Sequence, residues 1–135
     1  MMIVIDEKEI LVHKIILAAH STVFSAMFKA GLSESKNKRI IVIDIEVDIM
    51  QKVVEFMYTE TINSLPEYGD LLSILKVADK YEMEDFKFFC EKNLSEKITI
   101  ENVLEILKEN SLYGGLLLAK SVLHFMVKTN RQLLN

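Results

Sequence analysis

Three histidines are the residues best suited to metal binding or proton transfer near neutral pH: His13, His20 and His124. His13 and His20 lie seven residues apart, which places both on roughly one side of a continuous helix. However, Ser21 is a favourable helix N-cap and predicts a helix boundary beside His20. We therefore expect no metal site, and we interpret His13 as a structural residue at a strand-to-helix junction, with its ring bonded to a backbone carbonyl.

Nucleophiles and acids give no better candidate for catalysis. Cys90 is the only cysteine, which excludes an internal disulfide and a thiolate metal cage. It lies among aromatic residues such as Phe86 and Phe89, so we expect a buried side chain and not a reactive thiol. The pair Glu84 and Asp85 falls where a helix begins, and its charge favours that helix end. We predict no enzymatic activity and no cofactor.

Length and charge limit the remaining classes. A chain of 135 residues with a hydrophobic fraction of 50% is long and apolar enough for one folded domain. Net charge is -4 and the 16 basic residues are scattered, so nucleic acid is not an expected partner. No signal peptide and no apolar run of about 20 residues is present, which predicts an intracellular protein of the nucleus or cytoplasm without a membrane partner.

Three segments predict strands. Met1–Ile5 and Glu9–Val12 flank a short polar stretch suited to a hairpin turn. Ile40–Ile43 is a run of β-branched residues, which is typical of a strand buried on both faces.

The rest of the chain has helical periodicity. His13–Ala19 is apolar on nearly every side, which predicts a buried helix, and Ser21 begins the next. A further helix is expected to end at Tyr58 and Thr59, and a helical hairpin to begin at Asp70.

Two more helices are expected towards the end of the chain. Thr99 can cap the first, and Gly114–Gly115 separates it from the last. Their inward-facing residues are predicted to be Val103, Leu104, Ile106 and Leu107 in the first, and Leu118, Val122, Phe125 and Met126 in the second. The order of elements predicts an α+β fold in which helices dominate.

The segment Val12–Phe28 resembles the signature of BTB/POZ domains, in which His-Lys begins a helix and Leu-Ala-Ala-x-Ser-x-x-Phe-x-x-Met-Phe follows. The resemblance continues through Ile40–Ile43, Val54–Thr59, Leu71–Tyr81 and Cys90–Glu91. It implies the BTB/POZ fold, a small three-stranded sheet flanked by a helical cluster. On this basis we assign 1–95 to the BTB/POZ domain, 96–130 to a helical extension resembling a cullin-gripping box, and 131–135 to a tail.

Within that superfamily, Ser25–Phe28 and Glu34–Lys36 are similar to the speckle-type POZ proteins, which are substrate adaptors of a cullin-RING ubiquitin ligase. Ile98–Thr129 resembles the helical pair that follows the BTB core in those proteins. The resemblance implies a protein-binding adaptor whose partner is a cullin scaffold, and which supports ubiquitination and proteasomal degradation. It implies no small-molecule substrate.

The same resemblance implies the contact residues. Cullin-binding members carry a hydrophobic residue, any residue and a glutamate in one loop, and Leu32, Ser33 and Glu34 occupy that place. Leu32 would enter an apolar pocket while Glu34 pairs at its rim. By the same resemblance, Tyr58 and Thr59 lie where family members also meet the cullin; the alternative for Tyr58 is a place in the core.

A groove between the BTB core and Leu104, Leu107 and Leu112 would, by resemblance, hold the N-terminal extension of the cullin. The alternative is that these leucines pack within the helical pair. Ile16 lies on the helix that family dimers pair across, which implies self-association or pairing with another BTB protein.

Two features of the family are missing from this sequence. Family members begin with a dimer-forming helix, often after a substrate-binding MATH domain, whereas Met1 here falls on the first strand. We therefore expect no tight dimer. Two alternatives to a cullin adaptor follow: a self-associating POZ scaffold or transcriptional cofactor-binding module without cullin binding, and a truncated competitor of full-length adaptors.

Overall fold

Three short strands and seven helices make up the described part of the chain, residues 1–30, 39–62 and 66–134 of a computed structural model. The strands are β1 Met2–Ile5, β2 Lys8–Leu11 and β3 Arg39–Ile41. The helices are α1 Lys14–His20, α2 Thr22–Lys29, α3 Val47–Thr59, α4 Tyr68–Lys80, α5 Glu84–Ser95, α6 Val103–Tyr113 and α7 Leu116–Leu134.

The sheet has the strand order β2-β1-β3, with β1 in the centre. β1 and β2 form the predicted antiparallel hairpin. Its turn is made by Asp6 and Glu7, whose φ angles of 47° and 69° suit the right-handed twist of a two-residue hairpin. β3 pairs with β1 in parallel, with Ile40 opposite Ile3.

The prediction that β3 is buried on both faces is wrong. Ile40 and Val42 are buried in the core, whereas Ile41 and Ile43 are exposed. Among the described residues β3 pairs only with β1 and so lies at an edge of the sheet, and the core covers one face of the sheet. Alternate side chains of the β-branched run therefore point away from the core.

α1 is also less buried than its composition predicts. Leu17 is fully buried and Ile16 packs at the edge of the core, but Ile15 is exposed. The predicted boundary after α1 is confirmed, because Ser21 Oγ accepts a hydrogen bond from the Phe24 N–H at 3.1 Å. The same hydroxyl donates to the carbonyl of Tyr81 at 2.6 Å, which ties this junction to the end of α4.

The centre of the molecule is aromatic. Phe56 of α3 stacks on Phe86 of α5 with ring centroids 4.1 Å apart, and Phe24 stacks on Tyr81 at 4.7 Å. α4 and α5 form the predicted hairpin. Cys90 is fully buried beside this cluster, as predicted, and its burial raises the pKa of the thiol.

The C-terminal helices differ in two ways from their sequence pattern. α6 begins after Asn102, not Thr99; the two side chains exchange hydrogen bonds with each other's backbone N–H at 2.8 and 3.2 Å. Val103 and Ile106 are buried as predicted, but Leu104 and Leu107 are exposed. α6 lies on the outside of the bundle, and its buried stripe continues from Ile106 to the polar Asn110.

α7 follows the predicted pattern. Leu118 and Val122 are buried, and Phe125 and Met126 pack against the core. The break at Gly114 and Gly115 is confirmed, and the helix continues to Leu134. None of the helices in the described residues is both long and apolar enough to cross a bilayer.

Candidate functional site

The predicted contact residues fall in four places. Leu32, Ser33 and Glu34 lie outside the described residues, so their prediction is untested. Tyr58 and Thr59 form the end of α3, and Ile16 lies on α1. The three leucines lie on α6.

Tyr58 is half exposed, at 45%, and is held in place by its hydroxyl. That oxygen accepts a hydrogen bond from the backbone N–H of His13 at 2.8 Å. It also lies 2.6 Å from His13 Nδ1, to which it can donate. The partner of the His13 ring is therefore the Tyr58 hydroxyl, and the prediction that the ring bonds a backbone carbonyl is wrong.

This contact serves as a helix cap. His13 is the N-cap residue of α1 and its own side chain bonds none of the helix N–H groups. The Tyr58 hydroxyl therefore fixes the start of α1 to the end of α3. The tyrosine ring lies beside the His13 ring, with centroids 5.9 Å apart, and its other side remains accessible.

Thr59 closes α3 with its side chain. Thr59 Oγ1 lies 2.8 Å from the carbonyl of Glu55 and 2.9 Å from that of Thr61. Glu60 follows with a φ of 59°, a left-handed conformation typical of a helix end. Thr59 thus shapes the backbone next to Tyr58 and has little hydrogen-bonding capacity left for a partner.

The leucines of α6 face solvent. Leu104 is 70% exposed, Leu107 38% and Leu112 61%. Leu104 and Leu112 therefore do not pack within the helical pair, whereas most of the Leu107 side chain is covered; the cullin contact of these leucines stays a prediction. Isolated exposed leucines are common in proteins. These three are spread over about 140° of the circumference of α6, with Lys108 between Leu104 and Leu112, and we name them together the α6 leucine surface.

Glu91 holds the helical pair against the rest of the molecule. Its carboxylate is buried, and Oε1 accepts hydrogen bonds from the N–H groups of Gly115 at 2.7 Å and Leu118 at 3.3 Å. A negative charge at a helix N-terminus satisfies unpaired N–H groups and interacts favourably with the helix dipole. Sequence reasoning did not find this role of Glu91. The one signal in the sequence is that Gly114 and Gly115, which precede α7, have no side chain that could cap it.

The turn between α6 and α7 is tightly packed. Asn110 is buried, and its Nδ2 donates to the carbonyl of Gly115 at 3.3 Å. A Cβ at Gly114 would collide with Asn110 Oδ1. The close approach of Asn110 therefore favours glycine at position 114, in the turn that joins α6 to α7.

A charged cavity lies on another side of the molecule. It has a volume of about 440 Å³, between the loop before α3, α4 and Tyr113. Lys80 Nζ donates to Asp44 Oδ2 at 2.6 Å across it, which lowers the pKa of Asp44 and raises the pKa of Lys80. Within the described residues, no three histidine, cysteine or carboxylate side chains are grouped to hold a metal.

The fold and these surfaces define a module that acts by contact with other proteins. The chain matches the BTB/POZ domain family over residues 1–98 and belongs to that family. BTB/POZ domains are protein-interaction modules.

A particular relative has the same kind of domain. The BTB and MATH domain-containing protein 42 of Caenorhabditis elegans is 33% identical to this chain over 128 residues, which cover 94% of the chain and 31% of that protein. The chain thus spans less than a third of the length of this relative.

Solved BTB domains confirm the α+β fold. The BTB domain of human gigaxonin superposes with a TM-score of 0.56 at 26% identity, covering 67% of this chain and 73% of that one. The BTB domain of zebrafish PATZ1 superposes with a TM-score of 0.59 at 20% identity, covering 70% and 74%. At that identity the second likeness supports the fold alone.

Proposed function

We propose that this chain is an adaptor that binds a cullin scaffold in a cullin-RING ubiquitin ligase, as the speckle-type POZ proteins do. Its role is noncovalent positioning, so that a substrate is ubiquitinated and then degraded by the proteasome. The likeness to a BTB and MATH protein supports this subfamily. The proposal places the chain in the nucleus or cytoplasm, where a free thiol such as Cys90 stays reduced.

The observation that carries the proposal is the α6 leucine surface. When a partner covers leucine side chains that were exposed to water, the free energy of the complex falls by about 25 cal/mol per Å² of apolar area buried. Leu104, Leu107 and Leu112 are solvent-facing and are displayed on a helix whose turn is fixed by Gly114 and Asn110. A rigid apolar surface loses little entropy on binding.

Tyr58 supports the same surface role. Tyrosine is a frequent anchor in protein interfaces because it offers a large ring and a polar end. Here the hydroxyl is already bonded to His13, so the orientation of the exposed ring is set before any partner arrives. Binding would then cost little side-chain entropy.

The proposal is tested by measuring the affinity of the purified chain for the N-terminal domain of a cullin. We expect Leu32→Ala and Glu34→Ala each to weaken binding about tenfold or more, as anchor residues do. Ser35→Ala, next to the triplet, serves as the matched control and should bind as the unaltered chain does. Binding that is unaffected by both triplet variants would remove the triplet from the proposal.

Self-association is a second candidate, favoured by α1. Ile15 is exposed and Ile16 only partly buried, next to each other on one helix. A POZ scaffold without cullin binding would use this face. Sedimentation velocity tests it: a dimer that Ile15→Asp converts to monomer supports self-association, and a monomeric unaltered chain at about 100 μM excludes a dimer tighter than that concentration.

A further inference from the structure

A second groove, of about 410 Å³, lies between the end of α5 and α7. Its apolar wall consists of Ile98, Leu117 and Phe125, of which Ile98 and Phe125 pack against the core. None of its lining residues belongs to the α6 leucine surface. We name it the α7 groove, and it is separate from the α6 leucine surface.

The polar side of the α7 groove is basic. Lys120, His124 and Lys128 follow one another at four-residue intervals along α7, and all three are exposed. No acidic side chain lines the groove, and in the described part of the chain none of these three forms an ion pair. Their N–H donors are therefore available to a ligand.

The remaining polar groups of the groove are already occupied. Ser95 Oγ donates to the carbonyl of Lys92 at 2.6 Å, and Ser121 Oγ donates to that of Leu117 at 3.1 Å. The hydroxyls thus use their single hydrogens within their own helices. The hydrogen-bond donors that the groove offers to a ligand are therefore those of Lys120, His124 and Lys128.

This positive charge is local, because the chain as a whole carries a net charge of -4. All 20 acidic residues lie at or before Glu109, whereas Lys120, Lys128 and Arg131 follow it. α7 is consequently a helix with basic residues and no acidic ones. Complementarity of charge selects a negatively charged partner.

We propose that the α7 groove binds an acidic peptide segment of a partner protein, with an apolar side chain placed between its carboxylates. The apolar side chain lies against Ile98, Leu117 and Phe125, and the carboxylates reach Lys120 and Lys128. These lysines are eight residues apart, about 12 Å along the helix axis. About four residues of an extended peptide span that distance.

A concave apolar wall fits a peptide side chain better than the flat surface of a bilayer. The proposed ligand also differs from the occupant of the α6 leucine surface. The two proposals can therefore fail independently.

The experiment measures fluorescence anisotropy of a labelled synthetic peptide, a phenylalanine with two glutamates on each side, titrated with the full chain. We expect saturable binding that Lys128→Glu weakens about threefold to tenfold and that added salt also weakens. Lys108→Glu makes the same change of charge on α6, outside the groove, and should leave the affinity unchanged. Circular dichroism checks that each variant is folded.

Two further peptides separate the contributions. Replacing the glutamates by glutamine, or the phenylalanine by serine, should weaken binding in each case. The proposal is overturned if no saturable binding occurs up to about 1 mM peptide, or if Lys128→Glu and Lys108→Glu bind alike. It is also overturned if vesicles of phosphatidylserine and phosphatidylcholine bind through Lys128 while the peptide does not. Cullin affinity should be the same for Lys128→Glu and the unaltered chain.

Discussion

The carboxylate of Glu91 on α5 accepts a hydrogen bond from the backbone N–H of Gly115, 2.7 Å away, and thereby holds the start of α7. A second N–H, that of Leu118, also points at Glu91 Oε1. This buried contact joins the C-terminal helical pair to the helices that precede it.

Glu91→Ala should lower the free energy of unfolding by about 2–3 kcal/mol, because two helix N–H groups lose their acceptor in a buried place. Glu91→Gln should lower the free energy of unfolding by about 1 kcal/mol, because the amide oxygen still accepts the hydrogen bonds but the charge at the helix end is lost. Urea unfolding measures both. Glu96→Ala, at an exposed position after α5, should change stability by no more than about 0.5 kcal/mol. Equal stability of Glu91→Ala and Glu96→Ala would contradict the role of Glu91.

Gly114→Ala should destabilise the chain by about 1–3 kcal/mol, because the new Cβ meets Asn110 Oδ1 and forces the tight turn to shift. Gly69→Ala provides the matched control. Gly69 lies in α4 with no atom near its Cβ position, and alanine there should stabilise by up to about 1 kcal/mol. The midpoint temperature of thermal unfolding should fall for Gly114→Ala and rise for Gly69→Ala. An unchanged midpoint for Gly114→Ala would contradict the tight packing of this turn.

Tyr58→Phe should lower the free energy of unfolding by about 1 kcal/mol, since the N-cap of α1 loses its hydrogen-bond partner. Tyr113→Phe is the control, because the Tyr113 ring lies beside Lys76 and no hydrogen bond of its hydroxyl occurs within the described residues. Chemical unfolding should separate the two. Indistinguishable midpoints would exclude Tyr58 as a cap.

The ion pair of Asp44 and Lys80 should make stability depend on pH at the acidic end. The hydrogen bond from Lys80 lowers the pKa of Asp44 below its ordinary value of 3.8, so the unfolded chain takes up the proton first. Its contribution is therefore present above that value and disappears as the pH falls through the folded pKa. Lys80, with a raised pKa, contributes until the pH rises through its own folded value, above 10.5.

The test compares urea unfolding of the unaltered chain and Asp44→Asn. We expect the unaltered chain to be slightly more stable at about pH 7, and the difference to be smaller at about pH 2.5, because the Asp44 carboxylate takes up a proton as the pH falls through its lowered pKa. The effect is small because both residues are about half exposed. A difference that is the same at both pH values would contradict the ion pair.

Features that depend on near neighbours in the sequence could be predicted. Ser21 caps α2 by accepting a hydrogen bond from the N–H of Phe24, only three residues further along the chain, and the hairpin is determined by its two-residue turn. The break between α6 and α7 could be predicted because glycine is unfavourable in the interior of a helix.

Features that depend on distant neighbours could not. The His13–Tyr58 contact spans 45 residues and the Glu91–Gly115 contact 24, so no local pattern reveals either. Likewise, β-branching indicates that Ile41 belongs to a strand but not which face of the sheet is covered. Leu104 could not be placed for the same reason, because apolar periodicity does not distinguish a face packed on the core from an exposed face.

Hydrogen exchange of the chain with and without a cullin N-terminal domain tests the central claim most directly, because it locates the contact. We expect slower exchange on complex formation in residues 31–38, around Tyr58 and along α6, with α1 unchanged. Protection confined to α1, or no change in exchange at saturating cullin, would contradict cullin contacts at Tyr58 and at the α6 leucines.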